Sequence, residues 1–125
     1  HEFLGGNLEG KDVIVVDDMI ASGDSMIDVA GKLKERKVRN VYVFASFGLF
    51  TEGFDKFDKA YKDGIISRVF TTNMIYRRPE LLKKPWYTEV DMSKYIANII
   101  DTLNYDNSLS ELLDPVKKIK KLLKK

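Results

Sequence analysis

Apolar positions along the chain recur at two periods. Val13, Ile14, Val15 and Val16 are four consecutive β-branched residues, the composition of a short strand buried on both faces of a helix-covered sheet. Met26, Val29, Ala30, Leu33 and Lys37 then fall at helical spacing, predicting an amphipathic helix over about Gly23 to Arg36 whose apolar stripe covers that sheet. Val41 to Ala45 predicts a second strand. A strand, a helix and a strand joined by short connections form a right-handed crossover, which makes the two strands parallel. Phe54, Phe57, Ala60 and Tyr61 mark a second helix that stops at Gly64, a residue suited to the left-handed position after a helix end. Ile66 to Thr71 predicts a third strand, and Trp86 to Val90 a short fourth one. Met92, Ile96, Ile99, Ile100 and Leu103 trace one face of a further helix, with Asp91 or Ser93 as its cap. This alternation predicts an α/β fold on a mostly parallel sheet flanked by helices.

The polar residues that break the first apolar run carry the candidate chemistry. The strand is expected to end in Asp17 and Asp18, and in open α/β sheets ligands sit at the carboxyl ends of the strands. Ser22, Gly23 and Ser25 follow, small residues that let backbone N–H groups approach a phosphate, with the positive end of the helix behind them. Ser22 or Gly23 also reads as a simple N-cap, with Asp24 favourable in the first turn. The acidic pair argues for more than a cap. Two adjacent carboxylates repel by roughly 1 kcal/mol in partly exposed surroundings, so a cation or ligand hydroxyls are expected to compensate them. Thr71, Thr72 and Asn73 reach the same sheet edge, where they either bond a ligand or form a turn.

Composition narrows the classes. The 125 residues suffice for one domain of ordinary size, without repeats or a Gly-, Ser- or Pro-rich linker. No apolar run approaches the roughly 20 residues of a membrane span and nothing at the start has the pattern of a signal peptide, so a cytoplasmic location is expected. Without cysteine, and with His1 as the single histidine, thiolate and imidazole metal sites are excluded within one chain; a metal would be oxygen-bound, with Mg²⁺ the expectation. The chain opens without an initiator Met, which reads as a fragment. Arg77 and Arg78 precede Pro79 on an extended segment and read as a solvated surface or as a fork for a phosphate or carboxylate. From Asp114 to Lys125 six lysines face one acid, a local charge of +5 in a chain of net +2, so the remainder sums to −3. Basicity belongs to the tail, and neither nucleic acid nor a membrane is the expected partner of the domain. Val116, Ile119 and Leu123 give that tail a helical stripe, expected to pack on its own domain.

The run Val13 to Ser25, VIVVDDMIASGDS, resembles the phosphoribosyl-diphosphate (PRPP) loop of type I phosphoribosyltransferases and PRPP synthetases. Leu8 to Asp12, Ser46 to Phe50 and Arg78 to Leu82 resemble the carboxy-terminal part of the synthetases in particular, and the likeness runs from about Glu2 to the end. It implies a phosphoribosyltransferase-like domain that is incomplete here, spanning 1–125 with a basic helical tail at about 114–125. It further implies transfer of diphosphate from ATP to ribose 5-phosphate with Mg²⁺, and assembly into a homo-oligomer, with which the aromatic residues between Phe47 and Phe57 are compatible, although core packing explains them as well. For the site, it implies Asp17, with Asp18 beside it, on the ribose hydroxyls and Ala21, Ser22, Gly23, Asp24 and Ser25 around the 5-phosphate. Two positions depart from the pattern: Ala21 stands where an acid is usual, and Asp24 where glycine is common. Because the family's basic catalytic loop and most of its ATP site lie in other segments, this polypeptide alone is expected to bind ribose 5-phosphate weakly and not to turn over. A non-catalytic ligand-binding or assembly module of the same fold is the alternative. A phosphorylatable receiver domain fails on spacing, since the second strand runs into Ala45-Ser46-Phe47 with no acid.

Overall fold

The computed structural model describes residues 6–124, apart from the side chains at 111, 117 and 118. His1 and Lys125 therefore lie outside the described residues, as do the side chains of Lys117 and Lys118 in the tail. Chain order is β1 (Asp12–Ile20), α1 (Asp24–Glu35), β2 (Asn40–Gly48), α2 (Asp55–Lys62), β3 (Arg68–Thr72), a 3₁₀ turn (Leu81–Lys83), β4 (Tyr87–Val90), α3 (Ser93–Asn104), α4 (Ser110–Leu113) and α5 (Val116–Leu123). The four strands pair in the order β1-β2-β3-β4, and every pairing is parallel. The chain separates into two compact units at Val90 and Asp91.

In the first unit the core lies on one face of the sheet. Val41, Val43 and Ala45 of β2, Val69 of β3 and Tyr87 of β4 are buried there with Met26, Ala30 and Leu33 of α1 and Phe57 and Ala60 of α2. An aromatic group closes it, with Trp86 stacked on Phe57 at 5.3 Å between ring centroids and Phe50 set edge-on to Phe57 at 5.1 Å. Trp86 is wholly buried, and its indole N–H donates to Asp58 Oδ1 at 2.7 Å, giving the ring's one polar group a partner.

β1 departs from its predicted form in two ways. Ile14 and Val16 are 63% and 75% exposed, whereas Val13 and Val15 pack against the core, so the strand is buried on one face only. β1 forms the edge of the sheet, and both helices of this unit pack on the face that Val13 and Val15 share. The strand also does not end at the acidic pair but runs to Ile20. Main-chain pairing with β2 tolerates carboxylates at an edge open to water, and the register continues as Asp17↔Ala45, Met19↔Phe47 and Ile20↔Gly48. Burial follows odd positions as far as Ala45 and even positions at Ile20 and Gly48, so both strands turn over at Asp18 and Ser46.

The predicted helices α1, α2 and α3 are present, as is Gly64 with its positive φ after α2. Lys37, expected on the α1 stripe, lies beyond the helix at φ 59 and is exposed, its Nζ 3.3 Å from Glu9 Oε1; a lysine gains more from water and a carboxylate than from the core. Before α3 the half-in residue is Met92, and Asp91 Oδ1 accepts the Ser93 N–H at 2.9 Å. The 3₁₀ turn and α4 were not expected from periodicity. In the second unit the Tyr95 hydroxyl donates to the Leu112 carbonyl at 3.4 Å. Val116, Ile119 and Leu123 of α5 are exposed.

Candidate anion loop between β1 and α1

The connection from β1 to α1 is fixed at both ends by main-chain bonds. The Ile20 carbonyl accepts from Leu49 and Phe50 N–H at 2.9 and 3.3 Å, and the Ala21 carbonyl from Thr51 N–H at 3.0 Å. Gly23 then takes φ 89, a left-handed conformation that glycine adopts without the strain a side chain brings. The position is doubly restricted. A Cβ on Gly23 would stand 2.3 Å from Cε2 and 2.4 Å from Cζ of the buried Phe57. The Gly23 carbonyl accepts the first bond of α1 from Ile27 N–H at 3.0 Å.

The loop amides are left largely unspent. Among the described residues, the N–H groups of Ser22, Gly23, Ser25 and Met26 have no backbone or side-chain acceptor, and the Asp24 N–H makes only a long 3.4 Å contact with Ser22 Oγ. Unsatisfied donors at the start of a twelve-residue helix, aligned with its dipole, are the elements from which anion sites are built.

Side chains around the loop carry both signs of charge. Asp17 and Asp18 are exposed, and Asp17 Oδ1 accepts the Asp18 N–H at 2.8 Å. Asp24 is exposed but partnered: Oδ1 accepts from Lys56 Nζ at 2.6 Å and Oδ2 from Ser22 Oγ at 3.0 Å. The Lys56 hydrogen bond, with that of Ser22, holds the Asp24 carboxyl below the usual carboxylate range, and the bonds to Asp24 and Glu52 raise the lysine in turn. Lys56 was not singled out in the sequence. It lies 32 positions from Asp24 on another helix, and no local pattern connects the two.

The other expected ligand groups are engaged with the protein. Thr71 is buried with its Oγ1 2.8 Å from the Tyr87 hydroxyl, and Thr72 Oγ1 donates to the Ser46 carbonyl. Arg77 pairs with Glu89, and Arg78 Nη2 donates to the Phe50 carbonyl at 2.9 Å with its guanidinium 4.2 Å above the Phe54 ring. Arg77 is half-buried with a carboxylate of β4 as its partner, whereas Arg78 is exposed and rests on the aromatic group. Among the described residues no three acidic or histidine side chains group closely enough to cage a metal ion. Asp17 and Asp18 fit Mg²⁺ only in its usual manner, one or two carboxylates supplemented by water and ligand phosphates.

Residues 3–114 match the family described as the Phosphoribosyl synthetase-associated domain. The chain is 30% identical over 107 residues to the ribose-phosphate pyrophosphokinase of Shewanella oneidensis, covering 86% of this chain and 33% of that protein. It is 28% identical over 111 residues to the corresponding Vibrio cholerae protein, covering 89% and 34% of the two chains. It is also 30% identical over 107 residues to phosphoribosyl pyrophosphate synthase-associated protein 2 of Xenopus tropicalis, covering 86% and 29%. The phosphoribosylpyrophosphate synthetase structure from Mycobacterium smegmatis shares the fold at a TM-score of 0.70 and 22% identity, over 82% of this chain and 33% of that one. The chain thus spans about a third of the length of these relatives. With residues 3–114 matched, the chain belongs to the phosphoribosyl synthetase-associated domain family.

Proposed function

We propose that this chain supplies the ribose 5-phosphate loop of a ribose-phosphate diphosphokinase, a protein that moves diphosphate from ATP to ribose 5-phosphate. The unspent N–H groups of Ser22, Gly23, Ser25 and Met26 beside the Asp17 and Asp18 carboxylates carry this reading. The amides would hold the 5-phosphate, and Asp17, with Asp18 next to it, would accept hydrogen bonds from the ribose hydroxyls. Diphosphoryl transfer depends on positioning and on neutralising charge, for which Mg²⁺ and cationic side chains are required. Among the described residues at the loop, the cation in place is Lys56, and it is paired with Asp24. Homo-oligomeric assembly and a cytoplasmic setting are part of the same proposal.

The test uses the full chain. Titrated with ribose 5-phosphate, it should bind weakly, and Asp17→Ala should lower that affinity several-fold. Incubated with ATP, Mg²⁺ and ribose 5-phosphate it should release no AMP, and robust AMP release would show the inactivity claim wrong. Gly23 is a poor probe, since a Cβ there strikes Phe57 and would damage the fold and the site together. A second reading, a non-catalytic ligand-binding or assembly module, draws support from Ala21, which offers no side-chain acid, and from the likeness to a synthase-associated protein. Indifference of ribose 5-phosphate binding to Asp17→Ala would favour assembly.

A further inference from the structure

Asp24 occupies the first turn of α1, within one helical turn of the four unspent amides. Its carboxylate would repel any anion seated on them. Lys56, from the first turn of α2, reaches across to Asp24 Oδ1 at 2.6 Å, while the Ser22 hydroxyl turns the other oxygen, Oδ2, to itself at 3.0 Å. Lys56 also binds Glu52, one helical turn earlier in its own segment, which keeps the ammonium in place from a second direction. The nearby Lys59 is committed to Asp63, so Lys56 is the cation that serves Asp24 among the described residues.

We propose that Lys56 is a positioning residue for a sugar phosphate on the β1–α1 loop, cancelling the Asp24 charge so that the loop amides accept an anion. The inference rests on the loop being a phosphate site, and adds that a helix distant in sequence supplies the charge that makes Asp24 tolerable there. An unmasked carboxylate one helical turn from a phosphate dianion, at about 5–8 Å, weakens binding roughly three- to eight-fold after screening. A charge effect of this kind fades with salt. A structural effect does not.

The experiment compares ribose 5-phosphate and inorganic phosphate binding to the full chain and to Lys56→Met, Lys56→Arg, Asp24→Asn and the Lys56→Met/Asp24→Asn double variant, at low and at 1 M salt. Both positions are exposed, and thermal midpoints establish that each variant is folded. Lys56→Met is expected to bind about three- to eight-fold more weakly at low salt, Lys56→Arg nearly as well as the parent, and the double variant within about two-fold of the parent. The Lys56→Met deficit should shrink at 1 M salt, where the screening length is about 3 Å. If the parent binds and Lys56→Met binds equally, the inference is overturned while the phosphate site stands. If Lys56→Met loses affinity that Asp24→Asn fails to restore, Lys56 acts otherwise and the inference is again overturned. Parent protein that binds neither probe would overturn the phosphate reading itself.

Discussion

Gly23→Ala offers the most informative perturbation of the fold, because two separate penalties meet at one atom. At φ 89 the backbone lies where a residue with a Cβ carries strain of about 1–2 kcal/mol. The same Cβ would stand 2.3 Å from Phe57 Cε2, against the edge of a ring that is wholly buried and stacked on Trp86. Overpacking of that kind costs about 1–3 kcal/mol, because the ring can move only by disturbing its neighbours. Together the two effects amount to roughly 2–5 kcal/mol, or about 8–20 °C in thermal midpoint for a chain of this size. Urea and thermal unfolding of the parent, Gly23→Ala, Phe57→Leu and the double variant separate the parts. Leucine lacks the ring atoms that meet the new Cβ, so the cycle should show a favourable coupling of about 1–3 kcal/mol, with the backbone share of about 1–2 kcal/mol persisting in the double variant. A Gly23→Ala protein within about 0.5 kcal/mol of the parent would refute the reasoning, as would a cycle without coupling.

The remaining predictions concern polar groups in and around the core. Burial pushes the Asp58 carboxyl up, but hydrogen bonds from Lys84 and Trp86 outweigh it and leave it below its ordinary value of 3.8. Its contribution to stability is therefore complete above the unfolded value and lost as pH falls through the lower folded one. Chemical unfolding from pH 6 down to about 2 should show a steeper acid limb for the parent than for Asp58→Asn, and identical limbs would contradict this. Thr71→Val leaves the Tyr87 hydroxyl without its partner at 2.8 Å and should cost about 1–3 kcal/mol; adding Tyr87→Phe should recover most of that loss in urea unfolding. Trp86→Phe removes both the indole bond to Asp58 and volume from a site with no exposed surface, and should cost about 2–4 kcal/mol by the same assay.

How far the chain could be read in advance depended on whether the deciding interaction was local. Met26, Ala30 and Leu33 declare a helix by their own spacing, and the short links between apolar runs require parallel strands; both features are present. The exposure of Ile14 and Val16 follows from β1 being a sheet edge with its helices on the other face, which no stretch of thirteen residues can announce. Charge gave a false stop at Asp17, because side-chain solvation and main-chain pairing are independent at an open edge. The partners of Arg77 and Arg78 were not legible, because Glu89, Phe50 and Phe54 are distant from them in sequence. In the candidate site, the small residues Ser22, Gly23 and Ser25 were legible as a turn opening a helix, whereas the left-handed φ of Gly23 was not. Lys56 was not, because its role is defined only once α2 lies beside α1.

The central claim is that the amides opening α1 receive a sugar phosphate, and an amide-resolved NMR titration of the ¹⁵N-labelled chain with ribose 5-phosphate addresses it most directly. Saturable shifts concentrated at the N–H signals of Ser22, Gly23, Ser25 and Met26, with smaller ones at Asp17 and Asp18, are the predicted result. A titration that leaves those signals still, or moves only the lysine-rich tail, would contradict the account.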